Sequence, residues 1–316
     1  MSKTYIDLAR FTLSGPTMGS RWTATLFAPS NASPAALAGE LAAAAGEVDR
    51  QMSTWRADSD LMRLNRAPVG RWIEAPADLA HVLAASLRIG RATQGAFDIG
   101  VGAAVAAWGF GAQAAVEPAP RATLASLAVD MLDVDEARGR ARKRAAMSLD
   151  LSAIAKGFGV DALARALDGL GVTSYLVGID GEMRAKGVKP DGVPYAVALE
   201  RPEVGLREAM AVIDLEDAAI ATSGDYRRTR QGARGRYSHT IDPRTGAPLD
   251  TAVASVTVLA PTAMEADAFA TGLMALGAER GLAKAKELGL DALFLLRRAA
   301  GIETRGTGTF APCGDA

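Results

Sequence analysis

A turn-rich stretch over residues 238–248 (SHTIDPRTGAP) combines a histidine with charged neighbours. It holds His239, one of the two histidines of the chain, close to Asp242 and Arg244. A histidine in such a loop is suited to proton transfer near neutral pH. The alternative is a loop residue that hydrogen-bonds its own turn. The other histidine, His81, falls inside a helical pattern, so we expect it to be structural or exposed.

A second segment, residues 149–157 (LDLSAIAKG), leads a strand-like run into a predicted helix at Ser152. The start of a helix offers free backbone N–H groups and the positive end of the helix dipole. Lys156 adds a cation within the first turns. Together these features suit a phosphate or pyrophosphate, although a capped amphipathic helix with a surface lysine explains the same residues equally well.

A third segment, residues 261–271 (PTAMEADAFAT), carries an oxygen-bearing pair on one helix face. Thr262 and Glu265 form a capping-box pattern that marks the helix start. Asp267 and Thr271 are then four residues apart and share one face. A carboxylate and a hydroxyl offer hard oxygens to Mg²⁺, a cation that shares its coordination shell with substrate phosphates. Taken alone, the pair favours the alternative, a solvated Asp267 and a Thr271 bonded back to its helix.

Glycines and aromatic residues near the N-terminal half could bind a flat ligand. In residues 15–20 (GPTMGS), two glycines flank Met18 and let the backbone approach a ring, or they form an ordinary hairpin entry. Trp55 and the pair Phe97 and Asp98 place aromatic rings beside polar groups. These residues line a ring-binding pocket or cap the core.

The amino-acid composition argues against several classes of protein function. The chain has 316 residues, of which 49% are hydrophobic, so it can bury a sizeable core. Lys and Arg number 35 against 36 Asp and Glu, whereas a nucleic-acid-binding protein usually shows a basic excess. The single cysteine, Cys313, excludes a disulfide framework and a thiolate metal cluster.

The N-terminal residues predict a cytoplasmic protein. Lys3, Asp7 and Arg10 interrupt any apolar signal core, and no early cysteine is present for lipid attachment. The longest uncharged run, residues 99–116, contains several glycines and Gln113. We therefore expect buried, turning backbone there and no membrane span.

Helical and strand-like patterns alternate along the chain without an obvious linker. Ser33 followed by Pro34 predicts a helix that runs to Met52. Other predicted helices cover 79–93, 152–170 and 262–276, with Gly171 and Gly277 as C-terminal stops. Predicted strands cover 22–27, 175–179, 195–199, 253–259 and 292–296. The mixture indicates a mixed α/β (α+β) fold.

Taken in this order, the segments resemble one family. The motifs are GPTMGS, MSTWRADSDLMRLN, GAFDIGVG with WGFG, DLSAIAKG, SHTIDPRTGAP and ADAFATGLMALG. They closely resemble those of the FAD:protein FMN transferase family, also called ApbE, from about Gly15 to Leu276. The resemblance implies sheets packed with helices in two intimately associated subdomains of a single domain over 1–316. The stretch near 117–148, which is rich in Arg and Ala, is where we expect the subdomains to divide.

The resemblance also implies an activity and its residues. The family uses Mg²⁺ to transfer FMN from FAD onto a Thr or Ser hydroxyl of a target flavoprotein, and AMP is released. The implied FAD contacts are Met18, Trp55, Ala96, Phe97, Asp98, Asp150, Lys156 and Ile241. The implied Mg²⁺ ligands are the Ala153 backbone carbonyl, Asp267 and Thr271. His239 matches the histidine to which the family's proton-abstracting role is assigned.

Two other functions stay open. With water in place of the acceptor hydroxyl, the protein is a Mg²⁺-dependent FAD pyrophosphatase that yields FMN and AMP. A non-enzymatic carrier would bind FAD unchanged, but His239, Lys156 and the Asp267–Thr271 pair favour an enzyme.

Two positions depart from the family pattern. Trp55 stands where a tyrosine is frequent. Asp180 replaces a glycine, which puts a side chain where it could narrow the pocket.

Overall fold

The computed structural model describes residues 7–112, 127–203, 205–206, 208–227, 229–232 and 235–312. Its helices are α1 (Pro34–Met52), α2 (Asp60–Arg66), α3 (Ala77–Ala92), α4 (Gly102–Ala107), α5 (Ala128–Met131), α6 (Ala155–Gly169), α7 (Ala263–Leu276) and α8 (Ala278–Glu287). The strands are β1 (Leu8–Thr17), β2 (Ser20–Pro29), β3 (Ile73–Glu74), β4 (Leu132–Asp135), β5 (Arg140–Lys143), β6 (Ser174–Ile179), β7 (Glu182–Lys186), β8 (Tyr195–Glu200), β9 (Ala209–Leu215), β10 (Ala219–Gly224), β11 (Thr229–Gly232), β12 (Gly235–Ser238), β13 (Ile241–Asp242), β14 (Ala247–Pro248), β15 (Val253–Ala260), β16 (Asp291–Arg298) and β17 (Gly301–Gly306). The predicted mixed α/β class is confirmed.

The largest sheet has eight strands in the order β1-β2-β6-β7-β10-β15-β16-β17. Every neighbouring pair is antiparallel. The β15 sequence, VASVTVLA, is rich in β-branched residues and almost entirely buried, as expected for a strand covered on both faces. Helices α6 and α7 pack against each other and against β7 and β10, so they lie on the central strands of this sheet.

Local end signals determine where the helices begin and end. The Ser33 side chain accepts a hydrogen bond from Ala36 N, and α1 runs from Pro34 to Met52 as predicted. Thr262 caps α7 in the same way by accepting from Glu265 N. Gly277 ends α7 with φ +80°, a backbone conformation that favours glycine.

Helix α6 begins later than predicted, at Ala155 and not at Ser152. The side chain of Asp150 accepts a hydrogen bond from Ser152 N at 2.7 Å, and Ile154 N donates to Leu151 O at 3.0 Å. These bonds form a turn over residues 152–154 before the helix starts, because an aspartate side chain competes with the helical backbone for local N–H groups.

The uncharged run over 99–116 turns repeatedly, as predicted, within its described part. Val101 forms an isolated bridge with Ser148, and α4 follows for six residues; residues 113–116 lie outside the described part. Among the described residues, no helix combines the length and apolar character needed to cross a membrane.

The predicted division near 117–148 falls partly outside the described residues, and it stays a prediction. Residues 127–148 contain α5, β4 and β5, and β3, β5 and β4 form a separate three-stranded sheet.

Candidate active site

A cavity of about 900 Å³ lies between the start of α6, the middle of α7 and the segment over 239–243. Every residue predicted to act at the site lines it, except Met18. These residues are Trp55, Ala96, Phe97, Asp98, Asp150, Ala153, Lys156, His239, Ile241, Asp267 and Thr271. Met18 lines a neighbouring cavity of about 730 Å³, which shares Trp55, Ser152 and Lys156 with the first. Folding thus brings together segments that are far apart in the chain.

One side of the cavity, which we call the charged wall, consists of Ala153, Lys156, Glu182, Asp267 and Thr271. The Lys156 Nζ atom lies 2.6 Å from Glu182 Oε1. Burial by itself would lower the pKa of Lys156, but the nearby carboxylates of Glu182 and Asp267 outweigh it and raise that pKa above its ordinary value. Lys156 is therefore a cation held inside the cavity.

Asp267 is buried on α7 and faces the start of α6. Its Oδ2 atom accepts a hydrogen bond from Gly157 N at 3.1 Å. Burial raises the pKa of Asp267 to about 7, and repulsion from Glu182 adds to this effect while Lys156 opposes it. Gly157 permits the close contact between the helices, because a Cβ atom there would clash with the backbone carbonyl of Ala263.

The oxygens predicted to bind Mg²⁺ have a donor set that fits a hard cation. Gly157 N donates to Asp267 and not to the carbonyl four residues before it, so the Ala153 carbonyl accepts no hydrogen bond from any described residue. Thr271 Oγ1 lies 2.7 Å from Ser223 Oγ. Within the described parts of the chain, no three His, Cys, Asp or Glu residues form a metal cluster. The predicted ligand set consists of one carboxylate, one hydroxyl and one backbone carbonyl.

A second group of lining residues, which we call the aromatic wall, consists of Phe110 and His239 backed by Trp108 and Tyr237. The His239 and Phe110 rings are tilted edge to face, with centroids 6.2 Å apart. Tyr237 contacts both Phe110 and Trp108 in the same manner, at 5.8 and 5.4 Å. The Trp108 indole N–H donates to Gly246 O at 2.8 Å, which ties this wall to the turn after His239.

The charged neighbours of His239 in the sequence are not its neighbours at the cavity. Both Asp242 carboxylate oxygens accept hydrogen bonds from Arg244, and Arg244 also donates to Ala275 O at the end of α7. Asp242 and Arg244 therefore anchor the loop to α7, and the ring beside His239 is Phe110. The His81 side chain is partly exposed and pairs with Glu136 at 2.8 Å, in line with the prediction.

Two predicted FAD contacts use their carboxylates to hold backbone. Asp98 accepts hydrogen bonds from the N–H groups of Gly100, Ala128 and Val129, at 2.7, 3.0 and 3.3 Å. Burial raises the pKa of Asp98 although these backbone donors oppose the shift. Asp150 holds the turn before α6, as described above. Both side chains shape the loops that line the cavity.

The two cavities meet at an exposed tryptophan and a tight hairpin turn. Trp55 is 71% exposed where the cavities join. Met18 and Gly19 connect β1 and β2 with φ values of +48° and +66°, which is typical of a two-residue hairpin turn. The hairpin interpretation of GPTMGS is confirmed, and the same turn places Met18 at the second cavity.

Asp180 lies in the turn between β6 and β7 with φ +60°, in the left-handed region that favours glycine. The backbone is therefore one that a glycine would adopt readily. The Asp180 carboxylate lines the cavity 3.7 Å from Lys156 Nζ and 3.6 Å from an Arg227 guanidinium nitrogen. A side chain at this position occupies space in the pocket, as expected from the sequence.

Among the cavity residues that sequence reasoning missed are Glu182, Ser223 and Phe110. Phe110 belongs to the WGFG motif quoted above, and Glu182 lies two residues after Asp180, so their types and positions were visible. What was not visible is their contact with Lys156 and His239. Those contacts arise from the pairing of β6 with β7 and from packing of the segment after α4.

Comparisons with known proteins agree with this geometry. The model of the ApbE family matches residues 18–294. An FAD:protein FMN transferase from Vibrio cholerae is 38% identical over 306 residues, which cover 95% of this chain and 91% of the relative. One from Haemophilus influenzae is 40% identical over 281 residues, covering 86% of this chain and 81% of the relative.

Solved structures match along nearly the whole chain. The flavin transferase ApbE from Vibrio cholerae superposes with a TM-score of 0.87 at 37% identity and covers 96% of this chain and 99% of its own. The apo form of Pseudomonas stutzeri flavinyl transferase ApbE gives 0.86 at 36% identity, with 96% of each chain covered. Sequence and fold thus agree with the resemblance seen in the motifs, and this chain belongs to the ApbE family.

Proposed function

We propose that this protein transfers FMN from FAD onto a Thr or Ser hydroxyl of a target flavoprotein and releases AMP, with Mg²⁺ bound at Asp267, Thr271 and the Ala153 carbonyl. The observation that carries the proposal is that one cavity is lined by both the charged wall and the aromatic wall. Lys156 and the oxygen ligands lie on the charged wall, and His239 lies on the aromatic wall. The relatives named above, which are FAD:protein FMN transferases, support the same activity.

The reaction breaks one phosphoanhydride bond and forms one phosphoester bond. The acceptor hydroxyl oxygen attacks the phosphorus that carries the riboflavin moiety, and the bond from this phosphorus to the AMP oxygen breaks. The hydroxyl proton goes to His239, which acts as general base, and AMP leaves with the electron pair of the broken bond. The acceptor gains FMN as a phosphoester, and no oxidant or reductant is needed.

Negative charge on the pyrophosphate requires stabilisation from the charged wall. Lys156 contributes a fixed ammonium group in a cavity where water is partly excluded, so its charge acts more strongly than it would in bulk water. Bound Mg²⁺ would supply further positive charge to the phosphate oxygens. Asp267 and Thr271 would hold the ion, and Ser223 would orient the Thr271 hydroxyl.

The rings of FAD would be held by the apolar and aromatic lining. Phe97 and Ile241 are buried residues of the large cavity, whereas Trp55 and Met18 border the second one. An exposed indole such as Trp55 offers a flat surface on which a flavin or an adenine can stack. Titration with FAD, monitored by flavin fluorescence or calorimetry, should saturate in preference to NAD.

The deciding experiment incubates the full chain with FAD, Mg²⁺ and a panel of flavoproteins, and weighs every species by mass spectrometry. The proposal expects an acceptor heavier by FMN minus water, together with an equal amount of AMP, and loss of both products when EDTA removes Mg²⁺. Free FMN and AMP without a labelled acceptor would indicate an FAD pyrophosphatase. Unchanged FAD would indicate a carrier.

The exclusion of nucleic acid as a partner and the cytoplasmic location stay predictions from the sequence.

A further inference from the structure

Glu182 joins the central sheet to the start of α6 through a partly buried ion pair. It is the first residue of β7 and is only 3% exposed. Its Oε1 atom lies 2.6 Å from Lys156 Nζ, and its Oε2 atom accepts a hydrogen bond from Gly181 N at 3.3 Å. The carboxylate is therefore fixed by its own strand on one side and holds the lysine on the other.

The two other carboxylates near Lys156 are less suited to hold it. Asp180 lies farther away, at 3.7 Å, on a turn where it also faces Arg227. Asp267 is occupied by a backbone N–H of α6 and is a proposed ligand of Mg²⁺. The flexible four-carbon stem of a lysine needs a fixed partner to keep its ammonium group in one place. Glu182 is that partner.

Fold stability does not by itself explain an ion pair at this point. Glu182 is buried and the Lys156 side chain is 22% exposed. Removing charge from water is costly, and replacement of such a pair by well-packed apolar residues is frequently neutral or stabilising. The pair also lines the large cavity, where an apolar pair would fill the same space. The ion pair is explained if the Lys156 ammonium group interacts with a ligand in the cavity.

We propose that Glu182 is a positioning residue, which holds the Lys156 ammonium group in place for the pyrophosphate of FAD. This inference rests on the proposed function. Glu182 acts through Lys156, and its own negative charge opposes ground-state binding of the anionic pyrophosphate. Its contribution should therefore appear in turnover, where a fixed ammonium group stabilises the developing charge, and not in the affinity for FAD.

The first test is Glu182→Gln, which keeps the size of the side chain and removes its charge. We expect saturated turnover to fall roughly 10- to 100-fold, by analogy with the loss of a residue that orients a metal ligand. FAD affinity should stay equal or become tighter. Turnover within about twofold of the parent, or a loss confined to FAD affinity, would overturn the inference.

A double-mutant cycle with Lys156→Met separates positioning from a general structural effect. If Glu182 acts through Lys156, Glu182→Gln should change turnover little once Lys156 is absent. Two effects that multiply would instead show that Glu182 acts independently of Lys156, and would overturn the inference. Glu182→Asp retains the charge but withdraws the carboxylate, so it provides the same turnover test if the glutamine variant does not fold.

A matched control is available in another buried acidic residue with cationic partners. Asp60 is 3% exposed and pairs with Arg50 at 3.0 Å and Arg63 at 2.8 Å, outside both cavities. Asp60→Asn should lower the thermal midpoint and leave saturated turnover unchanged. A parent protein that does not turn over FAD would overturn the proposed function and this inference with it. A parent that does, together with an unaffected Glu182→Gln, would overturn this inference alone.

Discussion

The two walls of the large cavity are built by different forces. Buried charge and helix contacts hold the charged wall, where Lys156 pairs with Glu182 and Asp267 accepts from the backbone of α6. Edge-to-face ring contacts hold the aromatic wall, where His239 lies against Phe110. Ion pairs and backbone hydrogen bonds keep groups at set positions on the charged wall, whereas an edge-to-face contact packs the imidazole against a phenyl ring on the aromatic wall.

This difference assigns separate tasks to the two walls. The charged wall would receive the pyrophosphate and Mg²⁺, and the aromatic wall would receive the proton. If the tasks are separate, substitutions on one wall should leave the task of the other intact. The substitutions below test that separation in order of decreasing expected effect.

The largest effect is expected at the aromatic wall. His239→Ala should lower saturated turnover on the order of 10²–10⁴-fold, because the attacking hydroxyl loses its base. FAD affinity should change little, since the charged wall is intact. Turnover and binding are measured on the same preparation with an acceptor protein present. His81→Ala, at the partly exposed histidine paired with Glu136, is the control and should behave as the parent.

If His239 only shapes the pocket, the replacement would weaken FAD binding and lower thermal stability together. Saturated turnover would then stay nearly normal, and the assignment of His239 as the base would be wrong.

The second effect is expected at the metal ligands. Asp267→Asn should raise the Mg²⁺ concentration needed for half-maximal turnover by at least the roughly 10- to 100-fold typical of losing an outer partner, because an anionic oxygen is lost. Mg²⁺ should raise the thermal midpoint of the parent but not of this variant. Thr271→Val should show the same change more mildly. A parent-like Mg²⁺ dependence in Asp267→Asn would mean that the helix pair is structural.

A smaller effect tests how the charged wall is assembled. Asp161 on α6 accepts hydrogen bonds from Ala263 N and Met264 N at the start of α7, and it pairs with Arg184 at 2.6 Å. Asp161→Asn should lower the free energy of unfolding by about 1.5–3 kcal/mol, because charge-assisted hydrogen bonds are weakened. It should also weaken the response to Mg²⁺, but less than Asp267→Asn does, since α7 loses its register against α6.

Denaturant unfolding measures the change at Asp161, and Asp168→Asn on the same helix is the control. Asp168 is exposed, pairs with Lys186 on the surface and accepts a hydrogen bond from the Tyr175 hydroxyl. The asparagine carbonyl can still accept that bond, so the replacement should cost less than about 1 kcal/mol. Equal losses in both variants would contradict the special role of Asp161.

The smallest effect is expected where the two cavities join. Trp55→Ala should weaken FAD binding about 2- to 10-fold, corresponding to the roughly 0.5–1.5 kcal/mol of an aromatic pair. Trp55→Tyr, which restores the residue frequent in the family, should bind within about twofold of the parent. Fluorescence titration with FAD distinguishes the two. An unchanged affinity in Trp55→Ala would remove this residue from the set of FAD contacts.

Short-range signals in the sequence determined the element ends and the family. The caps at Ser33 and Thr262, the stop at Gly277 and the turn at Met18 depend on groups only a few residues apart. Such bonds form within one turn, so residue type and spacing suffice to predict them. The order of the six motifs was equally readable, and the family assignment that followed from it is confirmed.

Only the tertiary structure decided which residues of the site bond to one another. Lys156 and Glu182 are 26 residues apart, and Gly157 and Asp267 are 110 apart, so no local pattern reveals that they bond. The second of these bonds leaves the Ala153 carbonyl without a hydrogen bond from any described residue, although the sequence alone suggests an ordinary helix turn. Sheet order and helix packing set these contacts, because burial leaves a charged or polar group only the partners that the fold brings to it.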